Sequence, residues 1–219
     1  MGIICPWREE EAASIHREAR HLVEQGRVLA LPTETFYALA VAPLREPALD
    51  RVFALKGRPP DKPLLVLVGV PEMVRQVARE IPKVAKRLMA NFWPGPLTLI
   101  LPARAELPRR VTGGTGAVGV RQPRHGATCR LLTALQRPLT GTSANRSGKA
   151  PLTMALQVAR EFGDGVDFIL DAGPCPGGLP STIVDVSVSP PRLVRAGAVS
   201  TPELLAVLPE LLTPDSERS

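Results

Sequence analysis

Trp93-Pro94-Gly95-Pro96-Leu97-Thr98-Leu99-Ile100-Leu101 is the stretch on which the fold turns. Trp93 to Pro96 is a turn, because proline lacks the amide hydrogen that a continuing helix needs. Leu97 to Leu101 then runs apolar and reads as a buried strand. Upstream, Pro82 to Phe92 and Pro71 to Arg79 read as helices, and Leu64 to Val68 as a second continuous apolar strand. Pro47 opens a helix that carries Leu49, Val52 and Phe53 on one face and ends near Gly57. Arg27 to Leu31 is a short strand that Pro32 breaks into a loop. Before it, Ile15, Ala19, Leu22 and Val23 fall at helical spacing within Arg8 to Gln25, and Gly26 supplies the stop. Downstream, a strand at Ala117 to Val120 and a helix at Ala127 to Gln136 lead to a short strand, Pro138 to Gly141. A helix at Thr153 to Phe162 follows, then strands at Phe168 to Leu170, Ile183 to Val186 and Leu193 to Arg195. Interleaved strands and helices predict an α/β domain built on one sheet. Residues 1–200 form that domain. Residues 201–219 form a short C-terminal helix and tail, with Asp215 to Ser219 expected to fray.

The composition agrees with a globular reading. A chain of 219 residues can bury roughly 70% of its unfolded surface without help from disulfides or metal. With 44% hydrophobic and 22% charged residues, wholesale disorder and a membrane-embedded chain are excluded. Runs such as Leu64 to Val70 are too short to cross a bilayer. The net charge is +6, and Arg outnumbers Lys 22 to 5. Codon bias and an anionic ligand both produce such a surplus, and composition does not choose between them. Cys5, Cys129 and Cys175 are widely spaced, so neither a disulfide framework nor a zinc knuckle is expected. Met1 to Trp7 is too short for the apolar core of a signal peptide, and Pro6 breaks the myristoylation pattern, so a cytoplasmic protein is expected.

Some motifs fail on context. Gly114 to Gly119 matches GxGxxG, yet it precedes a strand and Gln122-Pro123 forbids an immediate helix, so the stretch reads as a flexible loop. Ser143 to Lys149 lacks the first glycine of a P-loop, and Lys149 is followed by Ala150. His16, His21 and His125 offer no metal-ligand pair. His16 and His21 are expected to be solvated on an exposed helix.

Four segments collect polar and basic groups at the ends of apolar strands, where α/β sheets present ligands. Pro32-Thr33-Glu34-Thr35-Phe36-Tyr37-Ala38-Leu39 is the first. In the second, Lys56 and Arg58 leave a helix end with Gly57 between them, so both can turn toward one anion, with Lys62 close behind. Cation capping of the helix end, worth ~0.3–1 kcal/mol, accounts for one of these charges better than for all three. Arg121, in Val120-Arg121-Gln122-Pro123, ends an apolar strand and is costly there unless an anion or carboxylate awaits it. Thr140-Gly141-Thr142-Ser143-Ala144-Asn145-Arg146-Ser147-Gly148 is a loop rich in hydroxyl, amide and backbone donors, for which a plain turn is the competing reading. Ser181-Thr182 and Arg195 repeat the pattern of donors at strand ends.

PTETFYALA, KGRPPDKPLLVLV, FWPGPLTLIL, VGVRQP, GTSANRSGKAPLT, PSTIVDV and LVRAG stand in the order and spacing of the YrdC family of threonylcarbamoyl-adenylate synthases, which the chain resembles from about Gly26 to Gly197. Lys-x-Arg (Lys56, Arg58) together with Ser-x-Asn (Ser143, Asn145) is the specific signal. The resemblance implies a twisted mixed parallel and antiparallel sheet flanked by helices, with a concave basic cleft. It implies an enzyme that makes L-threonylcarbamoyl-adenylate from L-threonine, bicarbonate and ATP and releases pyrophosphate. ATP would be a substrate carrying Mg²⁺, with no protein-bound metal. The product would pass to a tRNA threonylcarbamoyl transferase, and weak contact with tRNA or double-stranded RNA is compatible with the cleft.

Residue by residue, Thr35, Arg121, Ser143 and Ser181 resemble the threonine site. Lys56, Arg58, Lys62, Ala117, Asn145, Thr153 and Arg195 resemble the ATP site, with Lys56, Arg58, Ser143 and Asn145 as the catalytic set. The sequence departs from the family at Phe36, Ala38 and Leu67, which stand where a smaller residue, a glycine and, in some relatives, a histidine are found. A YciO-like paralogue and a non-catalytic RNA-binding protein are the alternatives. Eight aromatics and no base-gripping motif speak against the second.

Overall fold

The computed structural model describes residues 2–214. In chain order the strands are β1 (Ile3–Pro6), β2 (Leu29–Leu31), β3 (Ala38–Ala40), β4 (Val66–Leu67), β5 (Leu97–Pro102), β6 (Ala117–Arg121), β7 (Leu139–Thr140), β8 (Thr142–Ser143), β9 (Phe168–Asp171), β10 (Thr182–Asp185) and β11 (Arg192–Arg195). The helices are α1 (Ala12–Glu24), α2 (Glu46–Lys56), α3 (Lys83–Phe92), α4 (Arg109–Thr112), α5 (Gly126–Leu135), α6 (Ala155–Phe162) and α7 (Thr201–Val207). The fold is mixed α/β, as the interleaving predicts.

The strands form two sheets, which corrects the expectation of one. The first runs β1-β9-β2-β3-β8 and the second β11-β10-β5-β6-β4-β7. Both are mixed: β1 and β2 lie parallel to β9 and β2 antiparallel to β3, while β5 lies parallel to β10 and antiparallel to β6. The chain changes sheet at Gly141, because β7 pairs with β4 in the second sheet and β8 with β3 in the first. No side chain fits at that point. A Cβ on Gly141 would stand 2.4 Å from Leu67 Cγ. The Gly141 amide meanwhile donates to the Leu65 carbonyl at 2.7 Å.

Alternation along the strands divides the apolar residues between two cores. Leu29, Leu31, Phe168 and Leu170 meet α1 and α5 on one face of the first sheet. Ala30, Leu39 and Ile169 face the other way, into the larger core that also takes Leu97, Leu99, Leu101, Val118 and Val120 from the second sheet. Among the expected elements, Leu64 to Val68 shortens to Val66–Leu67, and Pro71 to Arg79 becomes a 3₁₀ helix over Pro71–Gln76. Strands β1, β3 and β8 and the one-turn α4 were not anticipated: β1 gains its form only by pairing with the distant β9, the alanines of β3 carry no strand signal, and β8, expected as loop, pairs with β3. Helix α7 occupies the expected C-terminal position, whereas residues 215–219 lie outside the described residues. His21 is exposed as expected. His16 is only partly exposed: its ring lies 5.6 Å from that of Trp7, with a buried Nε2.

Candidate active site

A cleft of about 590 Å³ opens between the two sheets. Strand alternation aims side chains into it. Thr98 and Ile100 of β5, with Ala117, Gly119 and Arg121 of β6, line the cleft, while their sequence neighbours fill the core. Thr33, Thr35, Phe36, Tyr37 and Ala38, with Thr142 and Ser143, form the opposing side, and Ser181, Ile183, Asp185 and Arg195 contribute from β10, its approach and β11. Seven of the residues singled out in the sequence therefore meet in one wall system: Thr35, Arg58, Ala117, Arg121, Ser143, Ser181 and Arg195. Lys56, Lys62, Asn145 and Thr153 do not line it.

The helix end at Gly57 explains why Lys56 and Arg58 part company. Gly57 adopts a left-handed conformation at φ 58°, its amide bonds the Ala54 carbonyl, and the Arg58 amide bonds that of Phe53. This Schellman closure reverses the chain within two residues. Lys56 is left inside, 2% exposed, and Arg58 is turned to the cleft. The Lys56 ammonium donates to the Ser143 carbonyl at 2.5 Å, the Asn145 carbonyl at 2.7 Å and Asn145 Oδ1 at 3.1 Å. All three of its hydrogens are used. Burial, seconded by the Arg58 charge, lowers its pKa to about 8.

Asn145 closes the same knot. Its Oδ1 also accepts from Ser143 Oγ at 2.6 Å, and its amide nitrogen donates to the carbonyls of Arg146 and Lys149. The Lys-x-Arg and Ser-x-Asn motifs thus belong together as a clamp, with Lys56 and Asn145 behind the wall and Arg58 and Ser143 in it. Arg58 is itself steadied by the carbonyls of Lys62 and Pro63, at 3.3 and 2.8 Å. The Lys62 side chain is exposed.

Arg195 donates to the Ser181 carbonyl through Nη2 at 2.6 Å and Nε at 3.2 Å, and Ser181 Oγ lies 2.9 Å from Thr98 Oγ1. Arg121 is 4% exposed at the end of β6. The carboxylate that its position demands is supplied by the protein: Glu34 Oε1 lies 3.5 Å from Arg121 Nη1. Burial lowers the guanidinium pKa and the Glu34 charge opposes that shift. Thr33 Oγ1 shapes the loop around Glu34 by accepting from the amides of Thr35 and Phe36, both at 3.2 Å.

Thr33, Glu34, Thr98 and Asp185 were not singled out as site residues. Thr98 carried a usable signal, a lone hydroxyl two residues from Ile100 in an apolar strand. Of the departures, Phe36 and Ala38 line the cleft, whereas Leu67 is fully buried under Gly141 and does not. Among the described residues no three His, Cys, Asp or Glu side chains gather as a metal site, and no helix is long and apolar enough to cross a membrane.

Two mixed sheets with a cleft between them, lined by Arg58, Arg121 and Arg195 and by several hydroxyls, make up an α/β domain. The chain belongs to the Sua5/YciO/YrdC family, whose model, described as "Telomere recombination", matches residues 21–197. It is 39% identical over 211 residues to the threonylcarbamoyl-AMP synthase of Pyrococcus abyssi, covering 96% of this chain and 62% of that one. The corresponding figures for the Bacillus subtilis synthase are 35% over 192 residues, 87% and 56%. The chain therefore spans less than two thirds of the length of either relative. Among solved structures, P. abyssi Sua5 complexed with L-threonine superposes with a TM-score of 0.89 at 38% identity, over 97% of this chain and 62% of the other. YciO of E. coli gives a TM-score of 0.83 at 25% identity, over 94% of this chain and all of that one.

Proposed function

We propose that this protein forms L-threonylcarbamoyl-adenylate and pyrophosphate from L-threonine, bicarbonate and ATP, and that the adenylate goes on to a separate transferase acting on tRNA. The observation that carries the reading is the meeting of Thr35, Arg121, Ser143 and Ser181 with Arg58, Ala117 and Arg195 in a single cleft. In this reading Arg121 receives the amino-acid carboxylate, and the hydroxyls of Thr35, Ser143 and Ser181 orient the amine and side chain. Arg58 and Arg195 neutralise the triphosphate, with the Ala117 backbone beside the base or ribose. Lys56 and Asn145 act through the Ser143 loop that they hold. Lys62 and Thr153 serve from outside the wall. In this reading Mg²⁺ arrives with the nucleotide; among the described residues Asp185 is the one carboxylate in the cleft lining, and its Oδ1 accepts from the Ser187 amide and hydroxyl.

The chemistry asks for proximity more than for a base. Bicarbonate loses water to give CO₂, and the neutral threonine amine adds to the CO₂ carbon and gives up a proton to form a carbamate. A carbamate oxygen attacks the α-phosphorus, and the bond to the β-phosphate oxygen breaks to release pyrophosphate. A cleft that excludes water protects the carbamate and the mixed anhydride. The test is incubation with ATP, bicarbonate and threonine, with and without tRNA, followed by a pyrophosphate assay and detection of the adenylate by mass. Full activity without RNA is expected. A folded protein that releases no pyrophosphate would instead favour a YciO-like paralogue, the reading suggested by the full-length match to that chain.

A further inference from the structure

Glu34 and Arg121 are an unusual pair for a buried position. A charge-neutralising partner would be expected to grip the guanidinium fork through two parallel bonds, leaving no polar atom idle. Here the approach is a single 3.5 Å contact between Glu34 Oε1 and Arg121 Nη1. Arg121 Nε and Glu34 Oε1 are both buried without a hydrogen-bond partner among the described residues. Buried polar atoms of this kind call for an explanation.

The surroundings hold Glu34 firmly in place. Its Oε2 accepts from the Arg124 amide at 2.9 Å, just beyond the end of β6. Its backbone sits in the loop that Thr33 Oγ1 ties together, and Arg124 Nε bonds the Pro94 carbonyl at 3.2 Å. Glu34 thus spans from the first sheet's loop to the exit of the second sheet's strand. The other titratable groups that feel its charge are His125, Cys129 and Cys175, each shifted chiefly by burial. Among the described residues, Arg121 is the one cation in an ion pair with Oε1.

We propose that Glu34 is a positioning residue: it steers the Arg121 guanidinium from one end, so that the part of the guanidinium lining the cleft can receive the carboxylate of the amino-acid substrate. The inference rests on the amino-acid site described under the proposed function. It predicts that Glu34 governs amino-acid affinity and leaves the nucleotide alone.

Two measurements separate this inference from the reading it rests on. In kinetics, Glu34→Gln is expected to raise the KM for threonine by about tenfold or more, with the KM for ATP and kcat changed by less than about threefold, and Glu34→Asp should restore most of the affinity. Equal losses for both substrates, or no loss, would overturn the positioning role. Independently of turnover, the Nε–H signal of Arg121 in arginine-labelled protein, assigned with Arg121→Lys, should exchange slowly in the wild type and quickly in Glu34→Gln, and should shift when L-threonine alone is added. An unchanged Nε–H signal in Glu34→Gln refutes the inference even where adenylate forms. A wild-type signal that depends on Glu34 but ignores threonine refutes the amino-acid site and, with it, the carboxylate role assigned to Arg121.

Discussion

Replacing Lys56 with methionine keeps the aliphatic stem and removes the ammonium. Two consequences oppose each other. The Asn145 carbonyl loses its donor, whereas the Ser143 carbonyl keeps the Asn145 amide and Asn145 Oδ1 keeps Ser143 Oγ. One orphaned acceptor costs about 1–3 kcal/mol. Against this, the fold no longer buries a charge. The fall in pKa from 10.5 to about 8 is 2.5 pH units, or about 3 kcal/mol at about 1.36 kcal/mol per unit. Net stability at pH 7 should therefore change by less than about 2 kcal/mol, while the loop carrying Ser143 loses its clamp and pyrophosphate release falls at least tenfold.

The pH dependence has a definite sign. A lysine whose pKa is lowered in the fold releases its proton there first, so between about pH 8 and 10.5 the unfolded chain binds more protons. Wild-type stability gains from this group as pH rises through that window, and the cost is fully present below it. Urea titrations of both proteins at pH 7 and 9.5 should show the difference between variant and wild type moving by about 2 kcal/mol in favour of the wild type. Cys129 and Cys175, pushed up to about 11 by burial, titrate in both proteins and cancel. Wild-type turnover in Lys56→Met, or a stability difference independent of pH, would refute the clamp.

Arg58→Ala removes a cleft-lining guanidinium and its bonds to the Lys62 and Pro63 carbonyls, so it should still fold and lose pyrophosphate release at least tenfold, read by a coupled phosphate assay beside a thermal melt. Threonine should beat serine only modestly, because one methyl group in a pocket is worth ~1–3 kcal/mol; equal kcat/KM values would show that Thr35, Ser143 and Ser181 do not surround the side chain. Gly141→Ala places a methyl 2.4 Å from Leu67 Cγ and should cost about 1–3 kcal/mol in a denaturant titration. Adding Leu67→Ala should recover part of that loss, and strict additivity would show that the two do not touch.

What the sequence determined by itself is local. The helix ending at Gly57 and the strands after Pro96 and over Ala117 to Val120 follow from backbone chemistry and apolar runs, and they lie where those rules put them. Six of the seven residues gathered in the cleft were legible because they stand in polar or basic segments at the ends of strands or of a helix, whereas Ala117 came only from the resemblance to the family. Tertiary structure alone decided the rest. Two sheets replace one because strands of two or three residues acquire an identity only from their partners, and the change of sheet at Gly141 depends on Leu67 lying beneath it. Lys56 and Arg58 look alike in the chain, yet a left-handed glycine sends one into the interior and the other to the cleft. The carboxylate that Arg121 requires stands on a loop far away in sequence. A charge at a strand end announces that it needs a partner, but the partner is chosen by long-range pairing, which no local pattern encodes.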